Sequence, residues 1–295
     1  MESKLLLGPS AMGKFCSLKA AVAEFLFDGA TVAFEGFSHL IPFAAAHEAI
    51  RQNRRNLKLV RMTPDLIYDQ MIGMGCANRV VFSYAGNPGI GLLNRMRDAV
   101  ESGWPNRLEI TEHSHAALAN AYVAGASGLP FAVLRGYSGV DLPRVNSEIQ
   151  EIFCPFTREK LAAVRSVNLD LAVIHAQKAD QAGNVLVEGI LGVQKEAVFA
   201  AERSIVTVEE IVDEFDTSVN ACILPNWKID AICVVPGGAH PSYAHTYYDR
   251  DNASYFEWNE ISKDRQKFLD WMKLNVLDAT PEVFLSRALK RANVE

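Results

Sequence analysis

Short apolar, β-branched runs alternate along the chain with stretches whose apolar residues recur every three or four positions, the pattern of βαβ units. Ser17 is placed to cap a first helix whose face carries Val22, Phe25 and Leu26, and Gly29 ends it. Thr31 to Phe34 is then a strand, and a helix follows from Phe43 to Arg54. Leu57 to Met62, Val80 to Tyr84 and Leu108 to Glu112 read as further strands, the last leading into an alanine-rich helix over Ala116 to Ala126. Phe131 to Leu134 is short and apolar and reads as one more. The region from Asp141 to Lys160 holds Pro143 and Pro155 and little periodicity, so an excursion or partly irregular hairpin is expected. Leu169 to His175 restarts the pattern. Arg203 to Val208 is the next strand, expected to feed a helix over Glu209 to Phe215, and Ile229 to Val234 is another. After Tyr247 the chain is aromatic and helical, with Pro281 at the start of its last helix. The fold class this predicts is α/β, a mainly parallel sheet flanked by helices, with residues 1–295 as a single domain.

Composition changes that picture little but excludes several functions. A hydrophobic share of 49% and a charged share of 22% are ordinary for a globular chain. The net charge of -6 gives no sign of nucleic-acid binding. No apolar run approaches the ~20 residues of a membrane span, and the stretch Leu5-Leu6-Leu7 is too short for a signal peptide, so a cytoplasmic protein is expected. The 5 cysteines (Cys16, Cys76, Cys154, Cys222, Cys233) form no CxxC pair, which argues against a disulfide framework and a zinc site. His113 and His115 stand two apart with nothing nearby to complete a ligand set. Neither a metal nor a permanently bound cofactor is expected.

Candidate chemistry lies where strands leave the sheet, the edge at which open α/β sheets bind ligands. Four loops qualify: Gly36 to Pro42, Gly86 to Gly91, Arg135 to Gly139, and Gly237 to Ser242. Glycines there let a backbone approach a ligand and expose N–H groups, and tight turns need the same residues. Gly86-Asn87-Pro88-Gly89-Ile90-Gly91 lacks G-x-G-x-x-G spacing, and Pro88 removes a donor, so it is no dinucleotide fingerprint. Glu35 and Glu112 stand at strand ends, where a carboxylate is a nucleophile, a base, or merely a solvated or capping group. Arg135 beside Gly136 suits bidentate pairing with a carboxylate or a CoA phosphate, or a surface salt bridge. His175, Asp180, Gly183 and Asn184 read as a strand leaving the sheet through an Asx turn.

In combination these segments resemble the alpha (A) subunit of family I CoA-transferases. Asp28 to Ser38 with Pro42 looks like that family's opening, His175 to Val185 like its strand-turn signature, and Ala200 to Val212 like the segment that follows. Pro236 to Tyr243 completes the match in order. The glutaconate CoA-transferase alpha-like branch is the most similar, and it includes the A subunit of a steroid-ring-opening CoA hydrolase. The resemblance implies coenzyme A as substrate and a partner B subunit, often in an α2β2 assembly. It implies that a B-subunit glutamate attacks the acyl-CoA and passes through an anhydride to an enzyme thioester, conserving the thioester's energy. Glycine-loop N–H groups would stabilise the oxyanion. Catalytic participation is expected of Glu112 and Arg135, since relatives that open rings use A-subunit polar residues. Substrate contacts are expected of Gly36, Phe37, Ser38, Ser138, Gly139, Gly237, Gly238 and His240. Glu188-Gly189-Ile190-Leu191-Gly192 looks like a shortened nucleophile motif, but it falls where the A-subunit pattern has a structural segment. The leading expectation is one subunit of a CoA-transferase for a carboxylic acid, with dicarboxylates and ring-degradation products as candidate acids. The alternatives are a retro-Claisen ring-opening hydrolase, a non-catalytic scaffold subunit, and a sugar-phosphate isomerase or sensor domain.

Overall fold

A computed structural model describes residues 13–87, 89–137, 139–216, 220–280 and 283. Its strands are β1 (Thr31–Glu35), β2 (Leu57–Val60), β3 (Ala77–Phe82), β4 (Glu109–Glu112), β5 (Phe131–Leu134), β6 (Ile149–Phe153), β7 (Lys160–Arg165), β8 (Leu169–Asp180), β9 (Val185–Glu188), β10 (Ala201–Val212), β11 (Ala221–Leu224) and β12 (Ala231–Val234). The helices are α1 (Leu18–Phe25), α2 (Phe43–Arg51), α3 (Leu66–Gly73), α4 (Asn94–Glu101), α5 (His115–Ala126), the single turn α6 (Leu142–Val145), α7 (Gln194–Ala200), α8 (Asn252–Ile261) and α9 (Arg265–Met272). Strands β12-β10-β8-β1-β2-β3-β4 run parallel in that order. β9 and β11 extend the sheet antiparallel beside the far half of β8. Every parallel strand therefore delivers its following loop to one edge.

Alternation along the strands feeds two cores. Val32 and Phe34 of β1 pack with α1, α2, α3 and α9, and Ala33 faces the other way toward α5 and α7. Ser17 caps α1 by accepting the Ala20 N–H at 3.2 Å, and Gly29 follows with φ 85°. Asp180 closes its turn as an Asx motif, its Oδ1 accepting from the Asn184 N–H at 2.8 Å, with Gly183 at φ 85°.

Two expectations are corrected. β5 does not join the main sheet: it pairs antiparallel with β7, and β7 with β6, in a separate three-stranded sheet. The Asp141 to Lys160 excursion supplies that sheet with β6 and its hairpin turn. Residues 209–212 of the expected helix over Glu209 to Phe215 are strand, because β8 is long enough to pair with β10 as far as Asp180↔Val212. Pro281 lies outside the described residues. Among the described residues no helix is long and apolar enough to cross a membrane, and no cluster of three or more His, Cys, Asp or Glu is placed to hold a metal.

Candidate functional site

At the end of β1 the chain makes a tight turn clamped from beneath. Buried Glu35 accepts the Gly36 N–H at 3.1 Å through Oε2, and through Oε1 the Met62 N–H and the Tyr122 hydroxyl, each at 3.0 Å. Burial pushes this carboxyl up, with the Arg61 charge and the three donors opposing. Arg61, 1% exposed, donates from Nη2 to the Gly36 carbonyl at 2.8 Å and from Nη1 to Asp65 Oδ1 at 2.8 Å. Its guanidinium lies 5.5 Å from the centre of the Tyr68 ring. A Cβ at Gly36 would stand 2.6 Å from the Leu40 carbonyl oxygen, so only glycine fits there. Ser38 and Leu40 hold left-handed φ values of 62° and 52°, strained for side-chain-bearing residues. Ser38 is exposed at the tip, and its N–H has no partner among the described residues.

The turn after β12 is built differently. Gly237 N–H donates to Glu209 Oε2 at 2.8 Å, Gly238 N–H to the Val235 carbonyl at 2.9 Å, Ala239 N–H to the Tyr248 hydroxyl at 3.1 Å, and His240 N–H to the Gly237 carbonyl at 3.0 Å. Glu209 Oε1 also accepts the Tyr248 hydroxyl at 2.8 Å and faces His175 Nε2 at 2.7 Å. Burial would raise the Glu209 carboxyl, but the His175 bond and charge, with Gly237 and Tyr248, hold it below the usual range. A Cβ on Gly238 would meet the Val235 carbonyl at 2.8 Å and the His175 ring at 2.9 Å. His240 Nε2 is paired with Asp251 Oδ2 at 3.0 Å. Burial opposes ionisation of Asp251, yet its bonds from His240 and Ser254 hold the carboxyl well below the usual range. The N–H groups expected to face a ligand at Gly237 and Gly238 are thus already spent inside the protein.

The two turns nevertheless meet. Leu40 N–H donates to the Tyr243 carbonyl at 2.9 Å, Ile41 N–H to Ser242 Oγ at 3.2 Å, and Ala44 N–H to the Gly238 carbonyl at 3.0 Å. A third loop joins them after β9. His39 Nε2 donates to the Glu188 carbonyl at 2.9 Å, and Cβ atoms on Gly189 and Gly192 would fall 2.8 Å from the His39 ring and 2.7 Å from Phe37. Gln177 brackets the Glu188 main chain, its Oε1 accepting the N–H at 3.0 Å and its Nε2 donating to the carbonyl at 3.1 Å. Gly36, Phe37, Ser38, Gly237, Gly238 and His240 therefore form one connected cluster.

Glu112 and the Arg135 loop lie apart from it. Glu112 ends β4, on the same edge as the Gly36 turn but three strands away, roughly 14 Å at ~4.8 Å per strand. It lines a cleft of about 800 Å³ between β4 and the small sheet, with Arg79, Asn146, Glu148 and Arg165. Arg135 follows β5 and is exposed, paired with Glu159 at 2.9 and 3.2 Å. Gly139 is exposed nearby, and Ser138 and Pro88 lie outside the described residues. The Tyr137 hydroxyl ties this loop to the start of α5, just after β4, by accepting the Ser114 N–H at 2.9 Å. Sequence reasoning missed Arg61, Glu209 and Tyr248 as builders of the turns. The β-branched run Thr207, Val208, Ile211 and Val212 was the available signal that Glu209 sits on a strand.

Residues 15–234, most of the chain, match the model of the family described as Coenzyme A transferase. The chain belongs to that family. Among CoA-transferases, it is 64% identical over 261 residues to the A subunit of 3-oxoadipate CoA-transferase from Pseudomonas knackmussii, covering 88% of this chain and 93% of the relative. The crystal structure of glutaconate CoA-transferase from Acidaminococcus fermentans superposes with a TM-score of 0.86 at 28% identity, covering 93% of this chain and 92% of that one. A cholesterol ring-cleaving hydrolase IpdA subunit of Mycobacterium tuberculosis is 29% identical, covering 81% of this chain and 84% of the relative. The chain is the A-type half of a two-subunit CoA-transferase, and its α/β fold is that of the glutaconate enzyme. The family's substrates are CoA thioesters.

Proposed function

We propose that this subunit serves a transferase that moves CoA between an acyl-CoA and the free dicarboxylate 3-oxoadipate. The observation that carries the reading is the 64% identity, over nearly the whole length of both chains, with a relative named for that substrate. The ring-opening alternative has 29% identity behind it. The B subunit supplies the glutamate: its carboxylate displaces CoA as the thiolate and forms an acyl anhydride. The thiolate then attacks the glutamyl carbonyl, frees the first acid and leaves a glutamyl-CoA thioester. Reversal with the acceptor acid regenerates the carboxylate and releases the new acyl-CoA.

In this reading the Gly36-Phe37-Ser38 turn is the A-subunit wall nearest the thioester, supported by its exposed tip and the uncommitted Ser38 N–H. Gly237, Gly238 and His240 give that wall its shape. Glu112, Arg135, Ser138 and Gly139 are the candidates for contact with the substrate's carboxylate end or the CoA phosphates. The assembly is α2β2, in the cytoplasm. The test is to purify the A–B complex and supply a dicarboxylyl-CoA donor with and without 3-oxoadipate. CoA transfer that requires the acid is expected. Release of free thiol without any acceptor acid would favour the hydrolase.

A further inference from the structure

Arg61 is a buried cation that the reaction outlined above does not use, and both of its terminal nitrogens are paired. It directly follows β2, which lies next to β1 in the sheet, and its guanidinium spans two anchors, the Gly36 carbonyl and the Asp65 carboxylate, each at 2.8 Å. A guanidinium holds both at once because its N–H groups form a rigid planar fork, whereas an ammonium is a point donor. The Gly36 residue is thereby fixed on both sides: Glu35 takes its N–H and Arg61 its carbonyl. Because the peptide group is planar, fixing that carbonyl fixes the plane of the Gly36–Phe37 peptide, from which the chain enters strained Ser38.

We infer that Arg61 is a positioning residue for CoA transfer, holding the Gly36–Phe37 peptide so that the exposed Ser38 tip keeps a conformation it would not hold alone. The inference rests on the reading of the Gly36 turn as a wall of the acyl-CoA site. It adds a residue that touches no substrate and acts through one carbonyl. Strain at functional turns persists only where the surroundings over-determine it, and Arg61 with Glu35 is that over-determination.

The test uses the assembled A–B complex and compares Arg61→Lys, Gly36→Ala and the double variant in kcat, KM, assembly and unfolding midpoint. Arg61→Lys is expected to lower kcat about 10-fold or more with KM for the acyl-CoA changed less than about 3-fold. Gly36→Ala is expected to lower kcat further, and adding Arg61→Lys to it is expected to cost little more, since both act through the same turn. A full multiplicative loss in the double variant, or normal kcat in Arg61→Lys beside a crippled Gly36→Ala, would overturn the role of Arg61 and leave the site reading standing. Normal kcat in Gly36→Ala would overturn the site reading itself. Should Arg61→Lys fail to assemble, Asp65→Asn loosens the same guanidinium without removing it. A several-fold fall in kcat, absorbed in the Gly36→Ala background, is then expected, and an unchanged kcat overturns the inference.

Discussion

The turns at Gly36 and Gly237 look alike in sequence: each follows an apolar strand, each carries glycine, histidine, serine and proline, and each stands at the edge where the parallel strands end. They differ in where their N–H groups go. Between Gly237 and His240 every main-chain donor has a protein acceptor, two of them delivered by side chains, Glu209 and the Tyr248 hydroxyl. At the Gly36 turn the anchors lie on the Gly36 peptides, and the exposed tip at Ser38 is left uncommitted and strained. A donor already satisfied inside the protein has nothing to offer a developing oxyanion, so similar composition conceals different hydrogen-bond commitments. In the proposed reading one turn faces the chemistry and the other braces it.

Alanine at the crowded glycine of each turn gives the widest separation. Gly36→Ala puts a Cβ 2.6 Å from a carbonyl oxygen and must open the tip, and turnover of the A–B complex is expected to fall by about 10²–10³-fold, the scale of a lost oxyanion contact. Gly238→Ala is nearly as crowded, at 2.8 Å, but in the proposed reading its turn supplies shape alone. It is expected to destabilise the subunit by about 1–3 kcal/mol in urea unfolding while kcat stays within about 10-fold. Equal losses of turnover in the two variants would erase the distinction.

A smaller effect isolates the brace. Glu209 accepts from the Gly237 N–H and the Tyr248 hydroxyl and faces His175. Glu209→Gln keeps one acceptor and turns the other into a donor facing a donor, so one buried group loses its partner. The expected cost is about 1–3 kcal/mol of stability, with KM for acyl-CoA rising more than kcat falls. Tyr248→Phe removes one hydroxyl and is expected to cost about 1 kcal/mol.

The same contrast marks what is legible in the sequence. β1, β12, α1 and α5 follow from periodicity and caps, because an amphipathic element writes its buried face into its own residues. α3 escapes notice because every one of its residues is buried, which leaves no polar face to set a period. The last four residues of β10 read as helix because Glu209 and Glu210 look like an acidic first turn. Glu209 is a strand residue whose donors arrive from Gly237 and Tyr248, far along the chain. β5 reads as one more strand of the main series because four apolar residues cannot reveal which sheet they join. At the site, the glycines are visible and their hydrogen-bond commitments are not. The ones made by Arg61 and Glu209 are long-range, and a string of residues carries no trace of them.

Acid should part the two turns last and least. His47, buried on α2 just beyond the Gly36 turn, has its Nε2 2.7 Å from Gln70 Oε1. Burial, against that hydrogen bond and reinforced by Arg51 and His240, pushes its pKa down to about 3 from the ordinary 6.5. A histidine depressed in the folded state is neutral there while the unfolded chain takes up protons, so its contribution is complete above about 6.5 and drains away as pH falls toward 3. Glu209 beneath the other turn is also depressed, but from the carboxylate range, so its contribution survives until pH falls below about 4.5. Between pH 6.5 and 4.5 the support of α2 should therefore weaken while the Gly237 brace holds. Buried Asp69, pushed up to about 7, and Glu35, also raised, act in the opposite sense over that window, so the test is a difference: the urea midpoint should fall more, or rise less, with acid in the native chain than in His47→Gln, whatever that change does at about pH 7. Hydrogen exchange in the same window should speed first in α2. A slope unchanged by His47→Gln would mean that acid acts on both turns through some other group.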